Sequence, residues 1–215
     1  MESASPPVRL IVGISGASGA VYGIRALQAL RELGVETHLV VTDAALETIR
    51  LETDFKKADV VKLATETHKL ADITSKIASG SYQTNGMLVI PCSMKTLAGI
   101  ASGYSDNLLL RAADVTIKER RRLVLVVRET PLSLIHIENM AAVTRAGAIV
   151  LPAMPAFYHR PKTVAALVDQ VVGKAFDMLG IEHHLLKRWE GSGEERPRSG
   201  QVGGKTRTPK SRRLP

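Results

Sequence analysis

Residues 8–14 form an apolar run rich in Val and Ile. It breaks at once into Ser15-Gly16-Ala17-Ser18-Gly19-Ala20, and a helical apolar pattern follows over 21–33. A strand joined to a helix by so small a turn leaves the helix's first N–H groups without partners. The turn has little side-chain bulk to cover them. The helix dipole adds partial positive charge at the same place, so the unit predicts a cradle for an anion, most simply a phosphorylated ligand.

The same alternation continues along the chain. Strand candidates are Arg9–Ile14, Glu36–Val41, 86–91, 123–127 and 148–151. Helix candidates are 21–33, Asp43–Glu52, 67–78, 94–100, 107–119, 132–146 and 162–179. In the last, Val164, Leu167, Val168, Val171 and Val172 recur at helical spacing. Thr42-Asp43 reads as a capped helix start. Short strands separated by such helices predict a doubly wound parallel α/β sheet in three αβα layers. Aromatic residues are only 4% of the chain, so the core must be built from Val, Ile, Leu and Ala. Buried parallel strands have that composition.

No long linker or internal repeat divides the 215 residues, which are enough for one well-filled core. Residues 1–189 read as a single domain. Over 190–215 seven Lys/Arg stand against three Glu, half of the net charge of +8, among Gly, Pro, Ser and Thr. That tail has little to bury and is expected to be disordered. It lacks the interleaved aromatics of a nucleic-acid binder. With one cysteine, Cys92, an intrachain disulfide is impossible. There is no signal-peptide pattern, and no apolar run reaches about eighteen residues. A cytoplasmic protein is expected.

Ligands of such sheets bind beyond the strands' carboxyl ends. Four predicted strands end there in small or polar residues: Ser15–Ser18, Thr42-Asp43, Pro91-Cys92-Ser93-Met94-Lys95-Thr96 and Arg128-Glu129-Thr130-Pro131. The order Gly13-x-x-Gly16-x-x-Gly19 is not the dinucleotide fingerprint Gly-x-Gly-x-x-Gly. It suits a plain tight turn or, given its serines, a mononucleotide. Arg111, Asp114, Lys118 and Arg122 are expected on one helical face, either a solvated basic surface or a phosphate clamp reaching a neighbouring subunit. Arg128 can fork onto a phosphate, and Glu129 can move a proton or orient the arginine. Tyr158-His159-Arg160-Pro161 precedes the last helix and can close over a ligand. His136 with Glu138, and His183-His184 with Glu182, lack zinc-motif context and read as structural or surface groups. Cys92 reads as a small buried residue rather than a nucleophile, and Trp189 as an anchor for the end of the domain.

Taken together these segments resemble the UbiX-type flavin prenyltransferases, which include small partner subunits of hydroxyarylic acid decarboxylases. The resemblance rests on Gly13-Ile14-Ser15-Gly16-Ala17-Ser18-Gly19-Ala20, Glu52-Thr53-Asp54, Pro91-Cys92-Ser93, Arg111-Ala112-Ala113-Asp114-Val115, Lys118-Glu119-Arg120-Arg121, Arg128-Glu129-Thr130-Pro131, Glu138-Asn139-Met140 and Pro155-Ala156-Phe157-Tyr158-His159. They occur in family order over about residues 9–189. The resemblance implies a Rossmann-like or flavodoxin-like fold and a homododecamer built of trimers. It implies a metal-independent reaction that joins the dimethylallyl group of dimethylallyl monophosphate to N5 and C6 of reduced FMN. The prenylated FMN then serves a UbiD-type decarboxylase, in ubiquinone biosynthesis or aromatic acid breakdown.

By the same resemblance, Gly16, Ala17, Ser18, Thr42, Ser93, Met94, Lys95, Thr96 and Arg128 fall at FMN-binding positions. Ser79, Gly80, Arg111, Lys118, Tyr158 and Lys174 fall on the prenyl-phosphate side. Ser18, Glu52, Lys118 and Glu129 are the expected catalytic groups. Lys174 stands where many members have Arg, which exchanges a planar fork for a point charge. The alternatives are an FMN-dependent peptidyl-cysteine decarboxylase, a non-catalytic flavin-binding subunit and a flavodoxin-type electron carrier.

Overall fold

A computed structural model of the chain describes residues 7–186 and residue 188. Trp189 and the basic tail therefore lie outside the described residues. Six strands form one parallel sheet: β1 (Arg9–Ile14), β2 (Glu36–Val41), β3 (Glu66–His68), β4 (Gly86–Cys92), β5 (Arg122–Val127) and β6 (Ile149–Val150). Their order is β3-β2-β1-β4-β5-β6, and all five pairings are parallel. The chain winds outward from β1 in one direction and then from β4 in the other, so the switch point lies between β1 and β4.

Strand periodicity divides the core. Leu10, Val12, Ile14, Leu88, Ile90, Val124 and Val126 face one side. They pack there with α1 (Ala20–Glu32), α2 (Asp43–Glu52), α3 (Lys57–Val61) and α7 (Val164–Leu179). Ile11, Met87, Val89, Leu123, Leu125 and Val127 face the other side. Their partners are α4 (Met94–Ala101), α5 (Leu108–Lys118) and α6 (Leu134–Arg145). Successive side chains of a strand point to opposite faces, so near-continuous apolar strands require helices on both. The three layers follow. Among the described residues, no helix is long and apolar enough to cross a membrane.

Three expectations need correction. The helix expected over 67–78 is absent; its start is the edge strand β3, and only Lys76–Ala78 forms a short 3-10 turn. Asp72 stops a helix there by accepting bonds from the Thr74 backbone N–H (3.2 Å) and hydroxyl (2.7 Å). This local turn competes with helical pairing. Helix α3 was not anticipated; it is a five-residue segment whose start is held by Lys56 N–H donating to Asp59 at 3.0 Å. Finally, Arg122 does not share the face of α5. The helix ends at Lys118, and Arg122 opens β5.

The first turn is fastened from three sides. Ser15 Oγ donates to the Pro91 carbonyl at 3.0 Å and accepts from the Ser93 N–H at 2.8 Å, tying the ends of β1 and β4 together. Gly19 takes a left-handed conformation at φ 102° and starts α1 without a side-chain cap of its own. The cap comes from Glu52 at the far end of α2, whose carboxylate accepts from Gly19 N–H at 2.7 Å and Ala20 N–H at 3.0 Å. Burial works to raise the Glu52 pKa. The Ser18, Gly19 and Ala20 hydrogen bonds and the Arg128 charge outweigh it and hold the group below the usual carboxylate value. Arg128 Nε donates to the Ser18 carbonyl at 3.2 Å, which closes the third side.

Two outcomes are expected. Ser15→Ala leaves the Ser93 N–H without its partner at a buried serine and should lower unfolding stability by about 1–3 kcal/mol in chemical denaturation. Glu52→Gln should cost about 0.5–1 kcal/mol at neutral pH, small because the carboxylate is exposed to solvent. The native pKa of Glu52 lies below its unfolded value of 4.5. The wild-type advantage is therefore full above pH 4.5 and should vanish as pH falls through the native pKa. A gap independent of pH would exclude a charge effect.

Candidate active site

The carboxyl ends of β1, β2, β4 and β5 meet at the switch point, as their small and polar ends predicted. Two helices begin there. Thr42 caps α2 by accepting from Ala45 N–H at 3.1 Å. Ser93 caps α4 by accepting from Thr96 N–H at 3.3 Å, and its hydroxyl donates to Thr96 Oγ1 at 3.2 Å. Both helices therefore present their positive ends at the strand termini. Gly16, Thr42, Ser93, Lys95 and Thr96 line one cavity of about 480 Å³, with Leu109 and Leu110 of α5 on its apolar side. A Cβ at Gly16 would lie 2.4 Å from Ala44 Cβ, so the turn approaches α2 more closely than any larger residue permits.

This donor set fits a flavin mononucleotide. Helix ends, hydroxyls and the exposed ammonium of Lys95 can hold a phosphate. The apolar wall can take a ring. Ala17 is buried at the turn, and Met94 packs half-buried against the core below the α4 start. Ser18 is exposed in the turn whose Gly19 and Ala20 N–H groups bond Glu52, so these two expected residues stand close together.

Arg128 and Glu129 line a second cavity of about 330 Å³ with Val127, Met140, Pro152 and Met154. Arg128 follows β5 directly, so its backbone is fixed by the sheet while its guanidinium spans back to Ser18. The Glu129 carboxylate is exposed and accepts from Thr130 N–H at 2.9 Å. The sequence did not single out Tyr22, which is held near Arg128; burial raises its phenol pKa and the Arg128 charge opposes that rise.

Ser79, Gly80, Arg111 and Lys118 form a separate cluster. Arg111 donates to the Ala78 carbonyl at 3.3 Å and pairs with Asp114 at 2.7 Å. Lys118 pairs with Glu119, holding that carboxyl below its usual value. A Cβ on Gly80 would collide with Glu119 Oε1 and come within 2.9 Å of Lys118 Nζ. Arg121, quoted in the motif but given no role, straps this loop to the helix end by donating to the carbonyls of Gly80 (2.6 Å) and Tyr82 (2.8 Å). Tyr158 is exposed in the segment before α7, edge-on to His159. Lys174 is exposed on α7 itself. The fold does not gather these two into either cluster.

The residues read as structural take structural places. His136 completes a capping box with Ser133 at the start of α6. His183 is buried, bonded to Asp177 at 3.2 Å and packed edge-on to Phe176. Cys92 is fully buried, which pushes its thiol pKa up to about 12 and removes it as a nucleophile near neutral pH.

Comparison with known proteins agrees with this geometry. Residues 1–186 match the Flavoprotein family. The mitochondrial flavin prenyltransferase PAD1 of Saccharomyces cerevisiae is 52% identical over 191 residues, covering 88% of this chain and 79% of that protein. The structure of AnUbiX (PadA1) in complex with FMN and dimethylallyl pyrophosphate superposes with a TM-score of 0.85 at 49% identity. That match covers 86% of this chain and 99% of the other. A dodecameric FMN-dependent UbiX-like decarboxylase from Escherichia coli O157:H7 superposes with a TM-score of 0.84 at 55% identity, covering 86% and 100%. About half of the residues are thus shared over nearly the whole described domain, and the chain belongs to the UbiX-type flavin prenyltransferases.

Proposed function

We propose that this chain transfers a dimethylallyl group from dimethylallyl monophosphate to N5 and C6 of reduced FMN. The observation that carries the reading is a pair of cavities beyond the strands' carboxyl ends, with Arg128 of the second bonded to the Ser18 carbonyl of the first turn. One has two capped helix starts, hydroxyls and Lys95 for a mononucleotide. The other holds Arg128 and Glu129 for a second anionic substrate. A flavodoxin-type electron carrier needs no second anion site.

Reduced FMN supplies the electron-rich nitrogen and ring carbon that are alkylated. The residues supply the rest. Breaking the allylic C–O bond leaves its electron pair on the phosphate, and Arg128 lies where it can stabilise the added charge. In this reading Glu129, in its protonated form, gives the departing phosphate the proton it takes up. Ser18 and Glu52 are the proposed acceptors of the proton lost from the flavin N5. Leu109, Leu110 and the apolar wall around Met140 and Met154 limit water near the allylic carbon.

Lys118 bears on assembly. It stands eleven residues beyond Asn107, which lines the flavin-side cavity. Along α5 that is about 16 Å. Within one chain Arg111 and Lys118 stand outside the linings of both cavities. A neighbouring copy can bring its own cluster to that cavity. A homo-oligomer, specifically a homododecamer built of trimers, is part of the proposal, as are Tyr158 and Lys174 on the phosphate side. Delivery of the product to a UbiD-type decarboxylase and a cytoplasmic location complete it.

The test is anaerobic incubation of the protein with reduced FMN and dimethylallyl monophosphate or diphosphate, followed by mass analysis of the extracted flavin. A gain of one C5H8 unit is expected with the monophosphate. Unchanged FMN with both donors, together with carbon dioxide release from a cysteine-terminated peptide, would assign peptidyl-cysteine decarboxylation instead. Unchanged FMN and no such release would leave a flavin-binding subunit. Glu129→Gln should slow single turnover at least tenfold while FMN binding stays largely intact; an unchanged rate would remove Glu129 from proton transfer.

A further inference from the structure

At the open edge of the sheet, β2 and β3 carry two histidines that the flavin chemistry does not use. His38 is fully buried, and His68 is 9% exposed. His38 Nδ1 and His68 Nε2 face one another at 3.0 Å. Between them and solvent stands Glu66, half-exposed, with Oε2 3.7 Å from His38 Nδ1 and Oε1 3.8 Å from His68 Nε2. Three ligand atoms of a tetrahedral zinc site lie about 3.3 Å apart when each is about 2.0 Å from the metal. The two nitrogens, and each nitrogen with its own nearer Glu66 oxygen (Oε2 for His38, Oε1 for His68), are within about half an ångström of that figure, and one ligand atom from each residue lies within 4.8 Å of the others.

The surroundings are built for the same arrangement. A ligating histidine normally donates its other ring N–H to a carboxylate, carbonyl or hydroxyl, which fixes ring and tautomer. His38 Nε2 lies 3.0 Å from Glu36 Oε1 and 2.9 Å from Tyr82 Oη, and Arg9 Nε holds the same Glu36 oxygen at 2.8 Å. His68 Nδ1 lies 2.8 Å from the buried Ser75 Oγ. Each imidazole thus has a partner for its outer N–H and turns its remaining nitrogen toward the shared space. Lys76 Nζ occupies Glu66 Oε2 at 2.5 Å, which leaves Oε1 for a metal.

We propose that His38 Nδ1, His68 Nε2 and Glu66 bind a late first-row divalent cation, zinc above all, with a water in the fourth position. Binding displaces the proton that the two facing nitrogens share as a hydrogen bond. The site clamps the three-residue edge strand β3, which among the described residues pairs only with β2. It is separate from the prenyl-transfer residues and leaves that reaction metal-independent.

The experiment is competition of the full-length protein with a chromophoric chelator for Zn²⁺, alongside Co²⁺ absorption and thermal unfolding with and without Zn²⁺. One Zn²⁺ per chain, bound below micromolar Kd, is expected, with the intense visible bands of four-coordinate Co²⁺ and a raised unfolding midpoint. Ser75→Ala should weaken zinc binding by about 10–100-fold. Loss of a ligand in His68→Gln should weaken it further and abolish the midpoint rise. Glu66→Gln keeps both buried histidines and guards against a folding defect in the histidine variant; it too should lose the four-coordinate spectrum. Equal zinc affinity in wild type and Glu66→Gln would assign the metal to surface histidines and overturn the site, as would six-coordinate Co²⁺ or no binding tighter than millimolar.

Discussion

The candidate site depends on one buried hydroxyl. Ser15 sits where β1 and β4 stop being neighbours in winding direction, and a sheet opens at such a point because its two connections leave toward opposite faces. Without this hydroxyl the N–H of Ser93 would have to find water or another partner at the floor of the crevice, and the carbonyl of Pro91 would keep only the Ser15 backbone N–H, at 3.2 Å. Ser15 Oγ satisfies both. The start of α4 is thereby fixed relative to the Ser15–Gly19 turn, and the flavin-side cavity has a rigid floor.

Carboxylates then hold the walls in place without neutralising the crevice. Glu52 caps α1 from α2, so two helices that follow different strands are locked by one side chain. Arg128 bonds the backbone of the same turn and retains further N–H groups for an anion. On α5, Asp114 and Glu119 restrain Arg111 and Lys118 while the loop around Gly80 packs against them. The flavin side is therefore preorganised within one chain, whereas Arg111 and Lys118 of α5 are held ready outside both cavity linings. That division is the physical reason an oligomer suits the chemistry better than a monomer.

Much of this was legible in the residues. The bounds of β1, β2 and α2 follow from strand alternation, helical spacing and the Thr42 cap, all of them local. The motifs around Ser15–Ala20, Pro91–Thr96 and Arg128–Pro131 lie at strand ends, where a parallel sheet must gather them. Positions 67–78 misled because Leu70, Ile73 and Ile77 carry helical spacing, while the Asp72–Thr74 turn and pairing of Glu66–His68 with β2 outweigh it. Arg122 was expected on the face of α5 from its i,i+4 spacing to Lys118, a spacing that runs past the helix end and so does not hold. Arg121 gained its role only from folding, since its two carbonyl partners lie about forty residues earlier.

The sequence by itself determined the three-layer class and the chemistry of the crevice, because these rest on periodicities and motifs that act over a few residues. Only the tertiary structure decided that Glu52 caps a helix it does not belong to. It alone divided the candidate anion-binding residues into two clusters, and it alone set His38 against His68 with Glu66 alongside. These contacts join residues that lie far apart in the chain or on different strands. Their distances are set by strand register and helix packing, which no local pattern encodes.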